Sequence, residues 1–353
     1  MKMRILHTAD IHLQEYDDEK WQALDQLIKI GRKEKVDVFL ISGDLFDKDI
    51  NAESLRPKIR DLFSNNGFKV LIIPGNHDTA SFGHDLYFGE DTVILNGTPY
   101  EHEKVRFFGI PFQPMEGEKL ISMIRSLGKA MTCDMPNIVV YHGELLDSFF
   151  SRMDFGEEGE GRYMPAKLSY FGGLNIDYVL AGHFHTNFDV RMIEANRYFV
   201  YPGSPVSVTK REVGRRQVNL FTVGEPPRAY ALDTPHFEEK VIILDPFSED
   251  NPLDAIKKHL EKVHLKAKLI LRVEGYIDGQ KSHTTEAELA ADIKELLKGK
   301  KAEDYLEYKD IQKIADNDIF KTYAKKLEQS GCTDEECALL RDIATKAIMK
   351  AAI

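Results

Sequence analysis

The stretches MRILHTAD (residues 3–10), VDVFLISGD (36–44) and KVLIIPGNHD (69–78) decide the fold. Each is a short apolar run that empties into a polar loop, the pattern of a strand buried on both faces. Between the first two, Trp21, Leu24, Leu27, Ile28 and Gly31 mark a helix with one apolar face, ended by glycine. Between the second and third, Leu55, Ile59, Leu62 and Phe63 mark another, stopped at Asn66-Gly67. This succession predicts an α/β sheet with right-handed crossovers. VRFFGIPF (105–112), NIVVYHGE (137–144) and DYVLAGHFH (177–185) read as further strands. RYFVYPGS (197–204) and RQVNLFTV (216–223) follow no long helix and are expected to be antiparallel.

The character of the chain changes near Pro226-Pro227 and Thr234-Pro235. The expected organisation is one domain over 1–232, a small β-α-β module over 236–284 and a helical region over 285–353. The module consists of KVIILDP (240–246), a helix from Leu253 to Val263, and KLILRVEGYID (268–278). Thr285-x-x-Glu288 and Thr333-x-x-Glu336 each fit a capping box that starts a helix. Leu289, Ile293 and Leu296, then Leu339, Ile343 and Ile348, supply the apolar stripes of those helices. GEEGEG (156–161) is expected to be a mobile acidic loop.

With 353 residues, 42% hydrophobic and 30% charged, the chain can bury a sizeable core. No apolar run approaches the roughly 20 residues that span a bilayer, and the N-terminus does not read as a signal peptide. A cytoplasmic protein without membrane contact is expected. Cys133, Cys332 and Cys337 show no C-x-x-C spacing and are expected to be reduced thiols. A net charge of -11 argues against tight, independent DNA binding, because phosphate neutralisation by basic side chains supplies most such affinity. It does not exclude a nucleic-acid substrate, since bound divalent ions and a local basic surface can override the average.

The strand ends carry the chemistry. Asp10-x-His12 follows the first strand, Gly43-Asp44 the second and Gly75-Asn76-His77-Asp78 the third; His142-Gly143 and Gly182-His183-x-His185 follow two later ones. Open α/β sheets place their sites at the carboxyl ends of strands. An extended D-x-H or H-x-H segment turns both side chains to one side, and adjacent glycines allow tight turns close to an ion. The candidate metal ligands are therefore Asp10, His12, Asp44, Asn76, His142, His183 and His185. Carboxylate, imidazole and amide together suit Mn2+, Fe2+ or Zn2+ better than Ca2+. Two such ions sharing a carboxylate activate a water and clamp the attacking and leaving oxygens of a phosphoryl group. The predicted chemistry is phosphoester hydrolysis without a covalent intermediate.

In this order the five blocks resemble the signature of the calcineurin-like metallophosphoesterase superfamily. Within it, ILHTADIHL, LISGDLFD, IPGNHD, DYVLAGHFH and YPGSP are similar to the SbcD-type DNA repair nucleases, the meiotic-recombination nuclease family. The likeness is close through about residue 220, weaker over the β-α-β module, and positional over the last fifty residues. It implies an α/β fold: a metallophosphoesterase β-sandwich flanked by helices, a small α+β cap domain facing DNA, and C-terminal helices that bind a partner. It implies one ion on Asp10, His12, Asp44 and His185 and a second on Asp44, Asn76, His142 and His183, with Asp44 bridging. His77 would be a catalytic residue outside the ligand set, stabilising the transition state or protonating the leaving 3′ oxygen. The resemblance further implies two Mn2+ ions, 3′-to-5′ exonuclease and single-strand endonuclease activity in double-strand break repair, an SbcC-like SMC-type ATPase partner, and a homodimer. The chain departs from the family pattern at Ile11, Gln14 and Asp47. Some members carry a second catalytic histidine at the last of these positions. Asp47 is read either as an outer hydrogen-bond partner or as a determinant of substrate specificity.

Two other functions stay open. A small-substrate phosphodiesterase or phosphatase is disfavoured by the β-α-β module and YPGSP, and a non-catalytic DNA-end tethering subunit by the intact ligand set. Lys210, Arg211, Arg215 and Arg216 form the densest basic stretch, either a DNA-backbone contact or a solvated hairpin face. His7 is read as strand-end packing or as an outer partner of the site. His84, His102, His236, His259, His264 and His283 are read as surface residues. The helix from Thr333 either docks a partner or covers its own domain.

Overall fold

All five residues of the strand Val38–Ser42 are buried, and they serve two different cores. Phe39 and Ile41 join one cluster with Trp21, Leu24, Leu27, Leu55, Ile59 and Phe63, the apolar faces of the helices Glu19–Glu34 and Ala52–Phe63. Val38 and Leu40 join another with Phe107, Ile138, Val140 and Leu180 from a second sheet. Alternating side chains of one strand thus face helices on one side and a sheet on the other, which is why its sequence is apolar throughout. A third cluster packs Phe108, Val139, Tyr141, Val179 and Phe199 against Leu120, Ile124 and Phe171 on the outside of the second sheet.

The structure, a computed structural model, describes residues 2–48, 50–82, 87–147, 163–311 and 318–351. The GEEGEG loop and His84 lie outside them. The chain divides into two units, Met1–Phe237 and Glu238–Ile353. In the first, one sheet is built from β1 (Arg4–Thr8), β2 (Val38–Ser42), β3 (Lys69–Ile73), β4 (Thr92–Ile94), β11 (Gln217–Thr222) and β12 (Ala229–Ala231). Their order is β12-β11-β1-β2-β3-β4. The second sheet holds β5 (Tyr100–His102), β6 (Val105–Ile110), β7 (Asn137–His142), β8 (Tyr178–Gly182), β9 (Asp189–Glu194) and β10 (Arg197–Tyr201), in the order β5-β6-β7-β8-β10-β9. Strands β1 to β4 are mutually parallel, as are β6, β7 and β8. This is the α/β sandwich flanked by helices that the sequence implies.

Local readings need correction at several points. The first helix does not stop at Gly31 but runs to Glu34, capped by Lys35 at φ 51°. Gly31 instead lets Phe68 pack on the helix, since a Cβ there would lie 2.9 Å from the Phe68 ring. The stretch 216–223 is antiparallel to β1 as expected, but the strand within 197–204 pairs parallel with β8 and antiparallel only with β9.

The third correction lies in the second unit, a sheet of β13 (His236–Leu244), β14 (Ala267–Ile277) and β15 (Ala302–Asp310). Ile256, Leu260, Leu289 and Ile293, from helices Pro252–Leu260 and Glu286–Leu297, pack on its Leu269, Leu271 and Val273. Strand β15 is parallel to β14 and falls where only helices were expected. Its sequence, AEDYLEYKD, turns mostly polar residues outward and therefore carries little of the apolar signal of a strand. Both capping boxes form, at Thr285 with Glu288 and at Thr333 with Glu336. The expectation of three reduced thiols fails: Cys332 and Cys337 form a disulfide, and Cys133 is free and exposed. His236, expected at the surface, is buried.

Candidate metal centre

Parallel pairing brings the carboxyl ends of β1, β2 and β3 to one edge, and the same holds for β7 and β8. The loops leaving them are not extended. Asp10, His12, Asp44 and His183 all have positive φ (53°, 52°, 52° and 95°), so D-x-H converges through left-handed turns rather than through strand alternation. Main-chain bonds lock the turns together. Asp10 N–H donates to Gly43 O (3.1 Å), Ile11 and His12 N–H to Asp44 O (2.9 and 3.0 Å), and His183 N–H to both Asp10 carboxylate oxygens (2.9 and 3.1 Å). Two glycines are required by contact. A Cβ at Gly43 would strike the His142 ring, and one at Gly75 the Asp44 carboxylate. Asp78 ties the next turn down, accepting from Gly75 N–H (2.7 Å) and Phe46 N–H (3.2 Å). Burial, then the charge of Asp44, pushes its carboxyl up to about 7.

All seven candidate ligands are brought together. Asp10, His12, Asp44, His142, His183 and His185 are buried, and Asn76 is partly so. His12 Nε2 faces His185 Nε2 at 3.2 Å. Asn76 Oδ1 lies 2.8 Å from His142 Nε2 and 3.2 Å from His183 Nδ1. Asp44 Oδ2, buried without a hydrogen bond, is 3.3 Å from His142 Nε2 and 3.8 Å from His12 Nε2. Asp44 Oδ1 accepts from His77 N–H at 3.0 Å. Asp10, His12 and His185 form one group whose ligand atoms lie within 4.8 Å of one another, and Asp10, Asp44 and His142 form another.

These contacts fit divalent cations. His142 Nδ1–H donates to Ser42 O at 2.8 Å, so its Nε2 lone pair points at Asn76 Oδ1, itself an acceptor. Two facing lone pairs repel unless a cation or a proton lies between them. In the metal-free protein the proton takes that place: burial lowers the His142 pKa, but Asp44 and Asp10 more than offset this and raise it to about 9. Burial acts against the Asp44 carboxylate, yet the charge of His142, 3.3 Å from Oδ2, holds Asp44 well below the usual range. Asp10 goes the other way, lifted by burial.

Around this centre stand groups whose roles the sequence left open or did not show. His77 is partly exposed, its Nδ1 3.4 Å from Asp47 Oδ1. The same oxygen lies 3.6 Å from His12 Nδ1, and Gln14 (2.6 Å) and Lys20 (3.3 Å) hold Asp47 Oδ2. This places the Asp47 carboxylate within ion-pair distance of a candidate ligand and of His77 at once. His7 is buried beneath the site, its Nε2 2.8 Å from Ser42 Oγ. The basic stretch divides: Lys210, Arg211 and Arg215 are exposed, whereas Arg216 is buried and bonded to main-chain carbonyls behind His185. The sequence reading missed Glu212, whose Oε1 is 3.5 Å from His185 Nδ1. Its one signal was a lone acid among four bases, KREVGRR.

Residues 3–187 match the model of the calcineurin-like phosphoesterase family. The chain is 26% identical over 233 residues to the DNA double-strand break repair protein Mre11 of Saccharolobus solfataricus, covering 60% of this chain and 56% of that one. To the protein of the same name from Sulfurisphaera tokodaii it is 25% identical over 289 residues, covering 74% and 70%. The chain thus spans little more than half the length of the first of these relatives. Among solved structures, a dimetal phosphatase from Danio rerio aligns at 12% identity with a TM-score of 0.39, over 62% of this chain and 95% of that one.

Proposed function

Because this chain belongs to the calcineurin-like phosphoesterase family, whose members are metal-dependent hydrolases, we propose that it is a Mn2+-dependent DNA nuclease of double-strand break repair. The proposed activities are 3′-to-5′ exonuclease and single-strand endonuclease. The observation that carries the reading is the convergence of His12 Nε2 on His185 Nε2, and of His142 Nε2 on Asn76 Oδ1, with Asp44 between the two pairs. Similarity to two double-strand break repair proteins supports DNA as the substrate.

Asp10, His12, Asp44 and His185 would hold one ion, and Asp44, Asn76, His142 and His183 the other. The position of Asp44 Oδ2, near both His12 and His142, supports its bridging role. When bound, the two ions supply an activated water and charge neutralisation at phosphorus. The chain's own residues do the rest. Asp10 and Asp44 concentrate negative charge where cations are needed, and the main-chain clamps fix both before substrate arrives. The His77 ring packs edge-on against that of His12, 4.7 Å between centroids, with Asp47 3.4 Å from its Nδ1, and His77 would deliver a proton to the leaving 3′ oxygen.

The same ligands accept Fe2+ or Zn2+, and Mn2+ is the proposed ion among them. An SbcC-like SMC-type ATPase partner, a homodimer, a DNA-facing module over 236–284, a partner-binding region over 285–353 and a cytoplasmic location complete the proposal. No described helix is long and apolar enough to cross a membrane.

The test is cleavage of linear duplex DNA with Mn2+ by wild type and His77→Ala. Wild type should degrade the ends and also cleave a simple phosphodiester, while the variant keeps its metal and loses cleavage. Hydrolysis of monoesters with DNA left intact would make the chain a small-substrate phosphatase. No hydrolysis of either, with DNA ends still bound, would make it a tethering subunit.

A further inference from the structure

The segment that follows β10 returns to the metal centre and grips one ligand from behind. Glu212 is 1% exposed, and its Oε1 lies 3.5 Å from His185 Nδ1. Four bonds hold the carboxylate in place. Oε2 accepts from Val208 N–H (2.7 Å) and Ser204 Oγ–H (3.1 Å), and Oε1 from Thr209 N–H (3.1 Å) and Thr209 Oγ1–H (3.2 Å). Arg216, 2% exposed, fixes the main chain of the same ligand: Nη2 donates to His185 O, Nη1 to Thr186 O (2.9 Å) and Nε to Ser204 O (2.9 Å). Arg216 balances the charge of Glu212 through space but gives its N–H groups to carbonyls and to Ser204 Oγ, which leaves Glu212 Oε1 facing the ring. Both residues lie beyond the stretch 3–187 that matches the family model.

The other half of the centre is built differently. Asp47 stands behind His12 as Glu212 stands behind His185, with Oδ1 3.6 Å from His12 Nδ1. Behind His142, among the described residues, stands a neutral carbonyl, Ser42 O at 2.8 Å, and its neighbour Asn76 is a neutral amide. A carboxylate behind an imidazole fixes the Nδ1–H tautomer, orients the ring and makes Nε2 a stronger donor; its charge also attracts the cation in a site of low dielectric. A carbonyl fixes the tautomer without adding charge.

We propose that Glu212 is a positioning residue which, with Asp47, makes the half of the centre built on His12 and His185 the tighter of two divalent-cation sites. The proposal rests on the reading that the seven ligands hold two ions. Loading is therefore ordered: the His12–His185 half fills first, and the half built on Asn76, His142 and His183 fills at higher metal concentration.

The experiment titrates the full chain with Mn2+, following free Mn2+ by electron paramagnetic resonance, with thermal melts in chelator as the fold control. Wild type should show two classes of site. Glu212→Gln should weaken the tighter class by about 10–100-fold and leave the weaker one in place; Glu212→Asp should recover part of the loss. Asp47→Asn should strike the same class. A merely structural role would lower the metal-free melting temperature and leave both binding constants unchanged. That result overturns the proposal, as do two equal sites in wild type or a loss confined to the weaker class. If Glu212→Gln does not fold in chelator, Asp47→Asn decides, and an unchanged tight class sinks the idea. Wild type binding fewer than two ions instead overturns the two-ion reading itself.

Discussion

Gly43→Ala tests how closely the turn after β2 is fitted to its ligands. Gly43 sits at φ 99°, and a Cβ there would occupy the position of the His142 ring. Two costs follow. Holding alanine at that positive φ costs about 1–3 kcal/mol. Moving His142 away also breaks its hydrogen bond to Ser42 O, worth about 1 kcal/mol. The sum, about 2–4 kcal/mol, corresponds to a fall in melting temperature of roughly 5–15 °C for a unit of this size. Gly214 provides the control, since it has φ 103° but open space around its would-be Cβ. Gly214→Ala should carry the backbone cost alone and bind metal as wild type does. Gly43→Ala should melt lower than Gly214→Ala and bind Mn2+ more weakly. Differential scanning calorimetry and Mn2+ titration read both effects. Equal melting temperatures for the two variants, with Mn2+ binding intact in both, would refute the claim that His142 is held against the Gly43 turn.

His7 should make the fold acid-labile. Burial pulls its pKa from 6.5 to about 3, so between those values the unfolded chain binds the extra proton and stability falls as pH falls. Urea unfolding of wild type should lose about 2 kcal/mol more than His7→Gln between pH 7 and pH 5, from 1.5 pH units below 6.5; parallel losses would show that His7 is not responsible. Metal affinity should rise with pH. His142 carries a proton below about 9 in the metal-free protein, and binding an ion at its Nε2 displaces that proton. Mn2+ titrations from pH 6 to 9 should therefore tighten steadily, and a flat profile would exclude the competition. Arg216 and Arg211, equal in sequence, should differ in effect: Arg216→Met strands buried carbonyls and should cost more than about 2 kcal/mol, whereas Arg211→Ala should leave the melt unchanged. Matching melting curves for the two variants would overturn that division.

The core strands and the seven candidate ligands were legible because their signals are local. An apolar run such as 36–44 announces a strand buried on both faces, and the polar residues at its end announce what the sheet presents at that edge. Signals that are not local misled. Gly31 looks like a helix stop, yet its use is to admit Phe68, 37 positions away in the chain, against the helix. Strand β15 hides because its outer face is polar. The Cys332–Cys337 bond joins cysteines five positions apart, a spacing that carries no signature of its own.

The sequence alone determined which side chains could meet a cation and in what order along the chain they occur. Tertiary structure decided how they meet. Left-handed turns at Asp10, His12 and Asp44, rather than strand alternation, aim the first candidate ligands. Contacts across 173 residues between His12 and His185, and across 100 between Ser42 and His142, set the distances. Glu212, Asp47 and Arg216 acquire their roles only there. A carboxylate or guanidinium in a sequence is a charge without a direction, and its effect on an imidazole depends on which nitrogen it faces and how firmly it is held.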